Sequence, residues 1–276
     1  MPVIAEPAET LAAHGAACGR LPVTGRGTWV RILIAMTIAA AAALLPGAMR
    51  APASATAACM TPGWHTVTGT DGRQDVINSD NWGGGDACLS DDGGPDFTIT
   101  SQDVAATGSV LAYPNISIGC YWAGTCSAGS GLPILASALA DPVASWSTTD
   151  IASGVFDTAF DIWFGPQPYT GPSTEIMIFI NGQGLPAHSS TEVTINGVKW
   201  WLTLLAPTAS KPWQYVQFRR ATSVTSVKNM PLKPFFSYAE KNHWLSPSSY
   251  LWQVAAGFEL WSDGAGLASN SFSVSP

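Results

Sequence analysis

The chain has 276 residues, with 12 Lys and Arg against 19 Asp and Glu and a formal net charge of −7. Charged residues make up only 11% of it, while Gly (27), Pro (20) and Trp (12) are plentiful. This acidic balance, with so few cations, argues against nucleic acid and against an anionic membrane surface as partners.

Residues 1–57 read as a leader ahead of the fold. Arg26 and Arg31 precede the apolar run "ILIAMTIAAAAALL", 14 residues long, which is followed by "PGAMRAPASATA". A basic stretch, a short apolar stretch and an A-x-A end have the order of a secretory signal, and the run is shorter than the roughly 20 residues that a membrane span needs. Cleavage is expected after Ala57, which leaves 58–276 as a single secreted, extracellular domain, off the membrane and monomeric. That domain carries 8 Lys and Arg against 17 Asp and Glu, a net charge of −9, and eleven of the twelve Trp. Such a composition suits an extracellular protein that handles neutral polar ligands, although a large all-β core would itself use several of the Trp.

Cys18 falls in the leader, and Cys59, Cys88, Cys120 and Cys126 remain. An even set in an exported chain reads as two disulfides, with three connectivities open. The preferred pairing closes the short Cys120–Cys126 loop and leaves Cys59–Cys88 to tie down the start of the domain.

Further along, "DFTITSQDV", "GVFDTAFDIWFG", "STEIMIFIN", "STEVTINGVKWWLTLLA", "WQYVQFRRA", "LWQVAAGFELW" and the terminal "SNSFSVSP" alternate as strands do. "DGGPD", "GPQPYTGPS" and "NGQGLPA" carry the chemistry of turns and loops. One stretch differs: "MPLKPFFSYAEKNHW" spaces Leu232, Phe235, Phe236 and Ala239 as a helix would, with Pro234 suited to a first turn. The expected architecture is an all-β sandwich of two antiparallel sheets with one late α-helix.

Four glutamates lie in this domain: Glu175, Glu192, Glu240 and Glu259. Glu192 and Glu240 read as solvated surface charges. The other two interrupt strand patterns. In "STEIMIFIN", Ile176, Ile178 and Ile180 share a core face, which puts Glu175 with Met177 and Phe179 on the other. Phe258 and Leu260 likewise leave Glu259 beside Gly257 and Trp261, and Phe160, Ile162 and Phe164 leave Asp161 beside Trp163. A carboxylate on an apolar face costs free energy unless it is paired, solvated in a cleft or used in chemistry. Three of them, each flanked by bulky apolar groups, imply a concave surface that excludes water. Paired carboxyls in an aromatic groove suit glycoside hydrolysis, where one acid protonates the leaving oxygen and the other attacks or stabilises the sugar carbon. Competing chemistries lack comparable support. His65, His188 and His243 are scattered without metal-ligand spacing, no G-x-S-x-G elbow is present, and no phosphate-binding glycine loop occurs.

At these residues the chain resembles glycoside hydrolase family 12. The segments "NSDNWGG", "YPNISIGCYWAGTC", "FDIWF", "EIMIFIN" and "AAGFELWSDGAGLASNSFSV" carry the likeness, in that order, across almost all of 59–276. The resemblance implies a β-jelly-roll with a concave substrate cleft, a secreted endo-β-1,4-glucanase activity on β-glucan, and neither cofactor nor metal. By the same likeness Glu175 matches the nucleophile, Glu259 the general acid/base, and Asp161 the acid that hydrogen-bonds the nucleophile. Trp64 and Trp82 fall where the family stacks glucosyl units, and Met177 where a methionine lines the cleft. Asp80, Tyr121, Trp122 and Trp261 complete the expected binding residues. The chain departs from the family at Asp80 (usually Asn), Tyr121 (often His), Phe160 (often Tyr) and Phe179 (often Trp). Two alternatives stand beside this reading: the same chemistry on xyloglucan or mixed-linkage glucan, and a non-catalytic glycan-binding sandwich, which would have no need of two opposed glutamates.

Overall fold

The computed structural model describes residues 64–83, 87–102, 108–121, 125–186 and 189–276. The leader, the expected cleavage point at Ala57, Cys59, Trp122 and His188 lie outside the described residues, as does the side chain of Tyr121.

In chain order the strands are β1 (Trp64–Thr68), β2 (Gln74–Asn78), β3 (Cys88–Ser90), β4 (Phe97–Ser101), β5 (Asn115–Tyr121) and β6 (Thr125–Cys126). There follow β7 (Ile134–Leu135), β8 (Val143–Thr149), β9 (Val155–Gly165), β10 (Thr174–Gln183), β11 (Thr191–Ile195) and β12 (Val198–Leu205). The last are β13 (Gln214–Arg220), β14 (Ser226–Pro231), β15 (Tyr250–Gly257), β16 (Leu260–Ser262) and β17 (Ala268–Ser275), with helix α1 (Lys233–Lys241) between β14 and β15. Among the described residues they form two sheets, the expected jelly-roll sandwich. The larger runs β1-β2-β5-β15-β9-β10-β13-β12-β11, with β16 beside β9, β6 beside β5 and β7 beside β15. The smaller runs β14-β8-β17-β4-β3. Pairing is antiparallel with one exception: β10 and β13 run parallel, because the β11–β12 hairpin intervenes and returns the chain in the same direction.

Two segments that alternate like single strands are divided in the structure. "STEVTINGVKWWLTLLA" is a hairpin in which Ile195 faces Val198 across Asn196 and Gly197, with φ of 50° and 76°. Two consecutive left-handed residues suit Asn-Gly, and that turn matches the twist of the strands it joins. "LWQVAAGFELW" is split into β15 and β16 at Phe258–Glu259.

The core lies between the sheets. Ile176, Ile178 and Ile180 of β10 and Phe160, Ile162 and Phe164 of β9 are fully buried there. Across the gap, Trp146 of β8 meets Phe160 and Phe258 edge-on or tilted, with centroids 5.3 and 5.7 Å apart. The Trp146 indole N–H donates to Ser269 Oγ at 3.0 Å, so this buried ring is also satisfied as a donor.

Helix α1 buries Phe235, Phe236 and Ala239. Phe235 packs on Trp200 and Phe218, and Phe236 on Phe164, which seats the helix beneath β9, β12 and β13. The helix ends on His243, with φ of 63°, while the His243 N–H reaches the Glu240 carbonyl and the Trp244 N–H the Ala239 carbonyl. That is the six-to-one, five-to-two pattern of a left-handed C-cap, built on histidine in place of the usual glycine. Glu240 is half-buried on this helix, whereas Glu192 is exposed and pairs with Lys199 at 2.8 Å. Cys120 and Cys126 form a disulfide, and Cys88 is also disulfide-bonded.

Asp75 stands on the core face of β2 opposite Val67, and only 4% of it is exposed. Burial, then the neighbouring Asp71 charge, raises its carboxyl from 3.8 to about 7, with Arg73 pulling weakly the other way. The native state therefore holds a proton that the unfolded chain releases above about pH 4, so stability falls as pH rises through this window, and the loss is complete above about pH 7. Asp75→Asn should stabilise the protein near pH 8 by up to ~4 kcal/mol and change little near pH 3.5. Urea unfolding at the two pH values measures this; an equal effect at both would contradict it.

Candidate active site

Strand register assembles the site on the face of the larger sheet that turns away from the core. One rung joins Gln253, Trp163, Glu175 and Tyr215 across β15, β9, β10 and β13. The next joins Ser117, Ala255, Asp161, Met177 and Gln217. A third runs from Trp64 through Asn78, Asn115, Gly257 and Ala159 to Phe179. Although this face points outward, Glu175, Asp161, Met177 and Phe179 are all less than 10% exposed. Met177, Phe179 and Ala159 form an apolar cluster of their own, with Leu185 and Tyr215 against it. The face is recessed, and its carboxyls sit in a partly dry setting.

Two indoles serve two of these acids. Trp213, just before β13, donates its Nε1–H to Glu175 Oε2 at 2.5 Å. Trp163 donates to Asp161 Oδ2 at 2.7 Å, and the two rings pack edge to face at 5.3 Å. The family likeness implies a hydrogen bond between Asp161 and Glu175; Asp161 Oδ1 is buried without a hydrogen-bond partner. The two still feel each other: burial first and the Glu175 charge second push the Asp161 carboxyl well above the usual range, and the Trp163 bond only partly opposes this. Burial and the Glu175 charge both favour the neutral form of Asp161.

Glu259 arrives from the other side. Its segment is clamped on both edges, with the Phe258 N–H on the Pro114 carbonyl, the Leu260 N–H on the Ala112 carbonyl, and the Asp157 N–H on the Glu259 carbonyl at 3.1 Å. Gly257 permits the approach, since a Cβ there would lie 2.3 Å from the Pro114 carbonyl oxygen. The charges of Glu259 and Glu175 both act on the Tyr215 phenol, after burial, to raise it well above the usual range. The Tyr215 hydroxyl donates to Met177 Sδ at 3.4 Å. So the two glutamates, Asp161 and Met177 meet around Tyr215.

The expected binding residues spread outward from there. Asp80 takes a left-handed φ of 40°, its N–H donating to Asn78 Oδ1, and its charge reaches both Asp161 and Tyr113. Trp64 and Trp82 are 52% and 43% exposed, open for stacking. Trp261 is half-buried on β16, while Tyr121 contributes its backbone to β5. Among the described residues, no cluster of three His, Cys, Asp or Glu could hold a metal ion.

Sequence reasoning missed Asp157, Trp213 and Tyr215. A signal for Asp157 existed, because period two in "FDTAFDIWF" puts it on the face of Asp161 and Trp163. Tyr215 shares a face with Gln217 in the same way. Trp213 follows a proline in a loop, where no periodicity applies.

Several carboxyls and exposed aromatics along one recessed face of a two-sheet sandwich suit a glycoside hydrolase. Residues 76–275 match the profile of glycosyl hydrolase family 12, and the chain belongs to that family. Endoglucanase Cel12A from Rhodothermus marinus is a similar solved structure, 34% identical over 78% of this chain and 97% of its own, with a TM-score of 0.68. Endoglucanase S of Pectobacterium parmentieri is 27% identical over 56% of this chain and 62% of its own length. The Probable cellulase Cel12b of Mycobacterium tuberculosis is 32% identical over 44% of this chain and 82% of its own.

Two outcomes follow from the indole bonds. Trp213→Phe keeps the ring but removes the N–H, so the acid limb of the kcat/KM profile should move up by roughly one pH unit, about the worth of one charge-assisted bond. An unmoved limb would mean that the bond is without consequence. Asp161→Asn preserves a neutral polar group and should retain part of the activity, with a shifted pH optimum. Asp161→Ala should lose on the order of 10²-fold. Wild-type profiles in both variants would reduce Asp161 to a bystander.

Proposed function

We propose that this chain is a retaining endo-β-1,4-glucanase that cuts internal bonds of a linear β-glucan, with Glu175 as nucleophile and Glu259 as general acid/base. The observation that carries this reading is the pairing of environments. Glu175 is 8% exposed and takes an indole N–H on a rigid strand, while Glu259 is more open, and both charges bear on one phenol.

In the first step Glu259 gives its proton to the glycosidic oxygen as Glu175 attacks the anomeric carbon. The leaving chain departs as an alcohol, and a glycosyl ester on Glu175 remains. In the second step Glu259, now a carboxylate, takes a proton from water, whose oxygen displaces Glu175 and restores both groups. Retaining hydrolases hold their two carboxyls about 5–5.5 Å apart to allow the covalent ester. Asp161 acts as a neutral neighbour that does not add a second negative charge beside Glu175. Trp64, Trp82, Asp80, Tyr121, Trp122 and Trp261 bind the glucan along the cleft. The order of features in 26–57 and the Cys120–Cys126 disulfide support export to an oxidising compartment, with 58–276 as the catalytic domain.

Reducing-sugar release from carboxymethylcellulose, xyloglucan and mixed-linkage glucan tests the activity and ranks the substrates. Glu175→Gln should abolish release while oligosaccharide binding survives. Glu259→Ala should lose activity on polysaccharide yet retain the first step on an aryl cellobioside whose leaving group needs no proton. Turnover by Glu175→Gln, or equal losses in Glu259→Ala on both substrates, would overturn the assignment; binding by the unaltered protein with no hydrolysis would leave a glycan-binding module.

A further inference from the structure

Asp157 is the most deeply buried acid of the site, with no exposed surface at all, and the two-carboxylate chemistry does not use it. Its place on β9 is defined by register. Gly257 faces Ala159 and Leu260 faces Phe156, so Glu259 stands directly opposite Asp157. On the other flank β10 offers only Gly182 opposite Asp157, leaving the side chain no partner there.

The bonds between these two residues are unusual for a strand pair. The Asp157 N–H donates to the Glu259 carbonyl at 3.1 Å, an ordinary ladder bond. The Glu259 N–H donates to Asp157 Oδ1 at 3.3 Å, a side-chain oxygen. Asp157 thus holds the backbone of Glu259 from both directions, and its carboxyl reaches across to do so. The other oxygen, Oδ2, is buried with no N–H donor on it, and the two side chains share a hydrogen bond of their own.

The groups that bear electrostatically on Asp157 are acidic. Burial comes first, the Glu259 charge second and a side-chain hydrogen bond with Glu259 third, with the Asp161 charge behind; together, and against the Glu259 backbone N–H, they hold the Asp157 carboxyl well above its ordinary range. The phenols of Tyr113 and Tyr215 are raised first by burial and then by the charges of the same cluster. Neither set of groups brings a cation to Asp157. All of these favour the protonated form, whose O–H lies beside the carboxyl that gives and takes a proton during turnover.

We propose that Asp157 is the positioning residue of the acid/base: it clamps the Glu259 backbone through Oδ1 and, as a neutral acid, offers its Oδ2 hydroxyl as a donor to the Glu259 carboxylate. This rests on the acid/base reading of Glu259 given above. The proton on Asp157 is not consumed. When Glu259 protonates the leaving oxygen, the Asp157 hydroxyl supports the carboxylate that results; when Glu259 takes a proton from water, that support is released. The donor favours the ionised form of Glu259, so it eases the first step and keeps Glu259 from becoming too strong a base to recycle.

The sign of this effect makes it testable. Asp157→Asn keeps an acceptor and a weaker donor, and the alkaline limb of kcat/KM on polysaccharide should move to higher pH. Asp157→Ala removes both, and should move the limb further. It should also lower kcat/KM on the order of 10²-fold through loss of placement. On an activated aryl cellobioside, whose first step needs no proton, the Ala variant should lose much less. A limb that moves to lower pH would mean that Asp157 works as an anion, and would overturn the proposal. Unshifted limbs with equal losses on both substrates and a lowered melting temperature would also overturn it, leaving a structural clamp. Glu259→Ala, run in parallel, separates the two readings. If it fails to discriminate the substrates, the acid/base assignment falls and takes this inference with it. If it discriminates while the Asp157 variants do not, this inference alone fails.

Discussion

The site depends on holding several carboxyls side by side in a recessed face where no cation is among the groups that shift them. Desolvation and mutual repulsion both oppose ionisation, so such a cluster settles into alternating neutral and charged members. Each acid that must stay in place is tied by an N–H: Glu175 by Trp213, Asp161 by Trp163, and Asp157 by the backbone of Glu259. An acid and a base at the same pH then emerge from environment, not from residue type. The pull of Asp157 and Asp161 toward their neutral forms is one consequence.

Rigidity comes from the opposite face of the same strands. Every residue that presents a carboxyl to the cleft is flanked by residues that anchor in the core: Ile176 beside Glu175, Phe160 and Ile162 beside Asp161, Phe258 and Leu260 beside Glu259, each fully buried. Close-packed interiors move little, and a strand pinned on one face cannot slip without turning its cleft residues inward. The helix contributes at one further point, where Thr174 Oγ1, next to Glu175, donates to the Trp244 carbonyl at 2.9 Å. Trp244 in turn closes the left-handed cap of the helix, so the end of α1 and the start of β10 are one unit.

How much of this was legible in the residues follows from which rule each element obeys. Period-two alternation shows the faces of β9, β10 and β15, hence the three outlying acids, because one face of each is unmistakably apolar. Helical spacing with Pro234 shows α1. The Asn196–Gly197 hairpin carries a plain local signal, and the alternation itself flips there, from Val193 and Ile195 inward to Trp200 and Leu202 inward. The parallel pairing of β10 with β13 has no local signal, because it arises from where the intervening hairpin returns the chain. The indole of Trp213 is invisible for the same reason: its partner is 38 residues away and its own loop has no period.

The tryptophans carry the point further. Trp146 and Trp200 are buried in the core, Trp163 and Trp213 lend N–H groups to carboxyls, and Trp64 and Trp82 stand open to solvent. Composition alone makes them one population, yet each set answers a different constraint: volume in the first, a satisfied donor in the second, an exposed flat face in the third. What distinguishes the second set is that a core indole needs only some acceptor, whereas these two find an acidic one on the cleft side of the sheet. Trp146 takes the neutral hydroxyl of Ser269, and nothing about its bond favours a charge. The chemistry of the cleft therefore extends one layer behind its acids, into aromatic residues that decide which carboxyl keeps its negative charge.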